Sequence, residues 1–126
     1  MKGLAPVFLA IAAAFIIKLL FFDFIIAQGH SMEPAINDGA VLIISRLSYG
    51  IRLPWEKSSY LFRWSKPAEG DVVVFFTPAG EKAIKRCTLI EGDSFFAEGD
   101  NSLTSYDSRA YGKVPIENII GKVLGH

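Results

Sequence analysis

Hydrophobic positions fall into two regimes along this chain. From Gly3 to Phe22 they run almost unbroken, with Lys18 the single charge in 20 residues. As a helix that stretch rises roughly 30 Å, about the depth of a bilayer's hydrocarbon layer, and so predicts one membrane crossing. Pro6 falls in the first turns, where a missing N–H costs least. Lys18 lies near the far end, where its stem can carry the ammonium out to the headgroups. With the amino terminus and Lys2 before it, the span predicts a cytoplasmic start and residues 29–126 on the other side. A cleaved secretory signal with Ala10 to Ile17 as its apolar region is the competing reading. Against it, the run is long for such a signal, and Ala27-Gln28-Gly29 is a poor cleavage site.

Beyond residue 23 the pattern shortens to strand length. Residues 24–28 predict an extended piece, and Ala40 to Ser45, after the turn Asn37-Asp38-Gly39, a buried strand. Glu69-Gly70-Asp71 turns into a strand at Val72 to Phe76. Pro78-Ala79-Gly80 then closes a hairpin with Glu81 to Leu89. Alternation on that second strand puts Ala83, Lys85 and Cys87 on one face, Ile84 and Arg86 on the other. Phe95-Phe96-Ala97 is a further short apolar piece, and a turn with a last strand covers Val114 to Val123. Tyr49 to Ala68 is different in kind. Trp55, Tyr60, Phe62 and Trp64 are mixed there with Arg52, Lys57, Arg63 and Lys66, which suits either a lipid headgroup layer or a loop packing its aromatics on the core.

Composition narrows the functional classes. The chain of 126 residues supports one core. Its 51% apolar content and mean hydropathy of +0.33 are raised by the N-terminal run. Residues 29–126 carry one more acidic than basic side chain, which gives no electrostatic case for nucleic acid. Cys87 is the only cysteine, excluding an internal disulfide, and no Cys/His cluster has metal-ligand spacing. No metal or cofactor is implied.

The chemistry concentrates at Gly29-His30-Ser31-Met32-Glu33-Pro34, between two extended pieces. A serine hydroxyl needs a base to act as a nucleophile. His30 adjoins Ser31, but neighbouring side chains on extended backbone point apart. Lys85 is the alternative: a free lysine has a pKa of ~10.4, so service near neutrality needs a depression of about 2 to 3 units, which burial away from carboxylates supplies.

Four blocks in order make the chain resemble bacterial type I signal peptidases and their mitochondrial relatives, membrane-anchored serine-lysine proteases. They are Ser31-Met32-Glu33-Pro34, followed by Gly39 and a hydrophobic strand; Gly70-Asp71-Val72-Val73-Val74-Phe75; Lys85-Arg86 with Gly92-Asp93 behind it; and Gly99-Asp100-Asn101 with Ser105, Asp107-Ser108-Arg109, Tyr111-Gly112 and Val114-Pro115. The resemblance implies that Ser31 is the nucleophile and Lys85 its general base. It implies that Ser105 hydrogen-bonds and orients the lysine, and that Asp107 and Arg109 form a supporting ion pair. The Ser31 N–H would donate to the oxyanion. Met32 and Ile84 would line the pocket for the residue before the cut, with Ile25 and Ala27 on the strand beside it. The family pattern departs at Gly29, where some members carry a serine hydroxyl, so a second oxyanion donor is unassigned. Only five residues separate Asp93 from Gly99, so the large β-insertion of many relatives is missing.

Strands and resemblance together predict a mainly β fold: a compact antiparallel, barrel-like catalytic domain over residues 24–126, behind one transmembrane helix within residues 1–23. The implied partners are preprotein signal peptides and the lipid bilayer, with the catalytic domain on the extracytoplasmic side of the cell's inner membrane. A pilin-type peptidase with the same dyad, a self-cleaving relative, and a membrane-tethered β-domain that binds without catalysis are the alternatives.

Overall fold

The computed structural model describes residues 3–52 and 60–126, apart from the side chains at positions 19 and 20. The first helix, α1 (Ala5–Phe21), has a proline in its opening turn and no acidic residue there. Lys18 is its one charged residue, and Val7, Phe8, Leu9, Ile11, Phe15 and Ile16 are all at least half exposed. At 1.5 Å per residue its 17 residues rise about 25 Å, short of the ~30 Å hydrocarbon layer. The expected crossing over Gly3 to Phe22 is therefore corrected: no helix among the described residues is long and apolar enough to cross a membrane. The physical reason is that Phe22 is already extended, and its pairing with Ser45 draws the chain into a sheet.

The sheet is the body of the protein. Its strands are β1 (Phe22–Ile26), β2 (Val41–Ser45), β5 (Val72–Phe76), β6 (Lys82–Glu91), β7 (Ser94–Glu98), β8 (Val114–Pro115) and β9 (Ile119–Val123). They lie in the order β1-β2-β9-β5-β6-β7-β8, with every neighbouring pair antiparallel. A separate ribbon pairs β3 (Gly50–Ile51) with β4 (Phe62–Arg63). The expectation of a mainly β domain holds in this form: a curled antiparallel sheet, a half-barrel. Register shifts at Val74/Phe75 and at Cys87/Leu89 are bulges, which bend and twist a sheet. The curl brings β1, at one end of the strand order, round to face β6.

The central strand explains the sequence pattern. Val72 and Val74 face a core built with Ala27, Met32, Ile36, Leu42 and Ile44. Val73 and Phe75 face a second core with Tyr49, Cys87, Phe95, Ile116 and Ile119. A strand buried on both faces reads as a continuous apolar run, which Val72 to Phe76 is. Phe75 meets Phe95 edge to face at 5.3 Å, an arrangement favoured for aromatic rings.

The mixed aromatic and cationic stretch divides in two. Tyr49 donates its hydroxyl to Asp71 at 2.8 Å, Tyr60 donates to the Ile119 carbonyl at 2.6 Å, and Arg52 reaches the Glu117 and Ile119 carbonyls. These residues strap the second core. Leu61, Phe62 and Trp64 are exposed. Trp55 and Lys57 lie outside the described residues.

Candidate active site

Three segments converge on Ser31. The first is the exit from β1. Gly29 has φ of +86°, a conformation that suits glycine, and its N–H donates to the Asp38 carboxylate at 2.8 Å. The chain then coils tightly, with Glu33 N–H on the His30 carbonyl at 3.2 Å and Ile36 N–H on the Met32 carbonyl at 2.9 Å. Met32 and Ile36 are sunk in the first core, so the turn that carries Ser31 is pinned from below.

The second segment is β6. Lys85 lies opposite Val73 in the middle of the hairpin, on the face predicted by alternation, with Cys87 buried behind it. Its Nζ lies 2.8 Å from Ser31 Oγ. Lys85 is 7% exposed, and burial holds its ammonium below the ordinary lysine range; Asp107 opposes that shift and Arg109 reinforces it. The next residue, Arg86, forks onto Asp100 with two bonds of 2.8 Å and reaches the Gly70 carbonyl at 2.9 Å.

The third segment, Gly99 to Arg109, holds the other two together. Asn101 donates its N–H to the Ser31 carbonyl at 2.7 Å and its side-chain amide to the His30 carbonyl at 3.1 Å. Gly99 sits so close that a Cβ there would collide with the Ser105 hydroxyl and come within 2.6 Å of the Ser31 carbonyl oxygen. Asp107 is fully buried at the N-terminus of the short helix α2 (Ser108–Tyr111). It accepts from the Ser105 hydroxyl, from Gly99 N–H at 2.8 Å, and from Arg109 Nε and N–H at 3.0 Å each. Burial pushes the Asp107 carboxyl up, but Arg109, Ser105 and the two backbone donors outweigh it, leaving a carboxylate well below its usual range.

The sequence-predicted residues come together with one difference in wiring. Ser31 and Lys85 are in contact, and Asp107 and Arg109 are paired. The Ser105 hydroxyl donates to Asp107, and no bond from it to Lys85 is among the described contacts. Ile25, Ala27, Met32 and Ile84 all border one cavity of about 440 Å³ that also opens onto Ser31 and Lys85. Arg86, Asp100 and Asn101 stood inside the sequence blocks without a role. The β6–β7 pairing sets Arg86 opposite Glu98 and so within reach of Asp100, whereas Asn101 meets Ser31 only in the folded chain.

The cavity's walls are two unpaired sheet edges. Ala27 spends both its N–H and its C=O on the β2 side, bonding Ala40 and Gly39 at 2.8 Å, so the backbone groups of Ile26 and Gln28 face the cavity. Opposite, β6 pairs with β5 from Lys82 to Arg86 but with β7 only from Arg86 onward. One edge of Lys82 to Lys85 is therefore open, and an extended peptide between the two edges would find backbone partners on both sides. The Ser31 N–H has no acceptor among the described contacts.

Comparison with known proteins accords with this geometry. The family model described as "Signal peptidase, peptidase S26" matches residues 1–95 and 86–125. The chain is 29% identical to signal peptidase I of Haemophilus influenzae over 94% of its own length and 33% of that protein's. It is 32% identical to mitochondrial inner membrane protease subunit 1 of Xenopus tropicalis over 80% of its length and 66% of the relative's. It is 26% identical to signal peptidase I of Bacillus caldolyticus over 94% of its length and 86% of the relative's. The chain thus spans from 30% to 86% of the length of the curated relatives it matches. With both blocks of the model matched across the curled sheet and its serine-lysine contact, the chain belongs to the signal peptidase family, peptidase S26, a family of peptidases.

Proposed function

We propose that this protein is a membrane-associated serine endopeptidase that removes N-terminal signal peptides from exported preproteins, cutting after small residues with Ser31 and Lys85 as a catalytic dyad. The single observation that carries the reading is the 2.8 Å approach of a buried Lys85 Nζ to Ser31 Oγ. An ammonium cannot act as a base, and burial lowers the Lys85 pKa and so raises the share of free amine at a given pH. Lys85 takes the hydroxyl proton as Ser31 attacks the scissile carbonyl, and the Ser31 N–H donates to the oxyanion. The ammonium then protonates the departing amine, leaving an acyl-enzyme. Lys85 activates water to release the acyl group.

Asp107, Arg109 and Ser105 act through position. Their bonds fix Gly99, which packs on the Ser31 backbone. Ile25, Ala27, Met32 and Ile84 give the cavity its apolar, restricted walls, which favour a small side chain at the cut.

Membrane association rests on exposed apolar surface. Beside the apolar helix α1, one face of the β1–β2 pair presents Phe22, Phe24, Ile26, Val41 and Ile43, each at least 44% exposed. Such a continuous patch has to be covered, and a bilayer supplies the cover. The decisive test is cleavage of a preprotein bearing an Ala-x-Ala site by the detergent-solubilised protein. The wild type should release the mature chain, and Ser31→Ala and Lys85→Ala, folded as judged by circular dichroism, should not. Retained cleavage in either variant refutes the dyad, and no cleavage by the wild type favours a binding domain.

A further inference from the structure

The groove beside Ser31 is closed at the serine end. Its β6 edge is free only from Lys82 to Lys85, because at Arg86 strand β7 takes over the pairing through Glu98. From Glu98 the chain crosses the gap between the two edges. Gly99 packs against the Ser31 carbonyl, and Asn101 bonds the carbonyls of both Ser31 and His30. An extended peptide paired with the edges therefore meets a wall at Ser31.

That wall divides a substrate in two. The acyl part must stay bound after the amine leaves, so it occupies the paired length of the groove. Residues after the cut have no strand edge to follow and must leave over the wall. Next to the wall stands a turn, closed by Thr104 N–H on the Asn101 carbonyl at 3.2 Å, with Leu103 inside it. Leu103 is 94% exposed and belongs to neither core. The turn is nonetheless held at both ends, by the Asn101 bonds to the catalytic segment and by the Ser105 hydroxyl on Asp107. An apolar group on an ordered turn needs little further ordering when a ligand meets it.

Reach says which residue of the ligand that is. Leu103 is two residues from Asn101, at most ~7 Å along the chain, and Asn101 touches the Ser31 backbone. An extended peptide covers about 7–10 Å in two to three residues. We propose that the turn at residues 101–104 is the site for the residues after the cut, with Leu103 selecting for an apolar side chain at the second or third of them. This rests on the groove's being the peptide site proposed above, and it leaves the requirement for small residues before the cut unchanged.

The test uses peptides that share one Ala-x-Ala site and carry Ser at both the second and third positions after the cut, or Leu at one of them. Binding to the Ser31→Ala protein is read by fluorescence anisotropy, and cleavage by the wild type in parallel. Leu at one of the two positions should bind about fivefold tighter than Ser. Adding Leu103→Ser, which removes an exposed side chain, should erase that gap. Leu61→Ser makes the same change at another exposed position and should leave it intact. A shorter peptide ending at the cut should bind equally well with and without Leu103→Ser. Equal affinity for the Leu and Ser peptides, a gap that survives Leu103→Ser, or weaker binding of the shorter peptide by Leu103→Ser overturns the proposal. Equal affinities together with a loss of vesicle flotation in Leu103→Ser would overturn it in favour of a lipid contact. A Leu preference in binding without any cleavage by the wild type would uphold the role of Leu103 while refuting the protease assignment. Cleavage without a preference would do the opposite.

Discussion

Replacing Gly99 by alanine tests how tightly the fold holds the nucleophile. The position does not require positive φ, so alanine can adopt its backbone and only the space decides. The added Cβ would stand 2.6 Å from the Ser31 carbonyl oxygen, a backbone atom, and would collide with the Ser105 hydroxyl. Ordinary van der Waals contact begins near 3.4 Å, so the Ser31 backbone must retreat by about 0.8 Å. That retreat strains the 2.7 Å bond from Asn101 N–H to the Ser31 carbonyl and shifts Ser31 Oγ against Lys85 Nζ, now 2.8 Å away. A displacement of about 1 Å in a reacting group costs on the order of a hundredfold in rate, whereas one extra methyl in a packed interior costs about 1–3 kcal/mol of stability. Gly99→Ala should therefore cut kcat/KM on an internally quenched signal-sequence peptide about a hundredfold at a temperature well below its Tm. Thermal unfolding followed by circular dichroism should still give a cooperative transition. Activity within threefold of wild type would refute the claim that Gly99 sets the position of Ser31.

Asp107→Asn removes a buried carboxylate that accepts from Ser105, Gly99 and Arg109, and should cost about 2–3 kcal/mol, the half-exposed Arg109 moderating the loss. Because the folded-state pKa of Asp107 is depressed, its contribution is complete above the unfolded value near ~4 and fades as pH falls towards the folded one. Urea melts of the two proteins should differ by a constant amount at pH 6–8 and converge in strong acid; equal stability at pH 7 would contradict this. Arg86→Ala breaks the fork to Asp100, loosens residues 99–101, and should lower cleavage about tenfold with a stability loss of about 1 kcal/mol in urea melts. Unchanged kinetics would show that the fork is dispensable. Phe24→Glu together with Ile43→Glu puts charge on the exposed β1–β2 face and should reduce co-flotation with phosphatidylglycerol vesicles several-fold. Undiminished flotation would mean that this face does not touch lipid.

The hairpin and the lysine's position were legible because β5 and β6 obey simple patterns. Val72 to Phe76 is apolar throughout as it is buried on both sides, and the two-residue repeat of β6 put Lys85 on the face of Ala83 and Cys87. The end of α1 was legible only in part, since residues 24–28 read as extended but the strand already begins at Phe22. Phe22 continues the apolar run of the helix, and its pairing with Ser45 is what takes it into the strand. The meeting of Arg86 with Asp100 depends on the β6–β7 register, which sets Arg86 opposite Glu98 across a bulge that local composition does not encode. The resemblance marks Asp107 as a supporting residue, but its capture of the Ser105 hydroxyl depends on α2, at four residues too short to leave a periodic signature.

The account stands on Lys85 as an uncharged base. The most direct measurement is kcat/KM against pH for wild type and Lys85→Ala on one peptide. The fraction of free amine rises with pH through its pKa, and burial lowers that pKa, so the wild type should show an ascending limb on the acid side of the ordinary lysine value of 10.5. Lys85→Ala should abolish that limb together with activity. A wild-type rate that does not change with pH, or a limb that persists in Lys85→Ala, would contradict it.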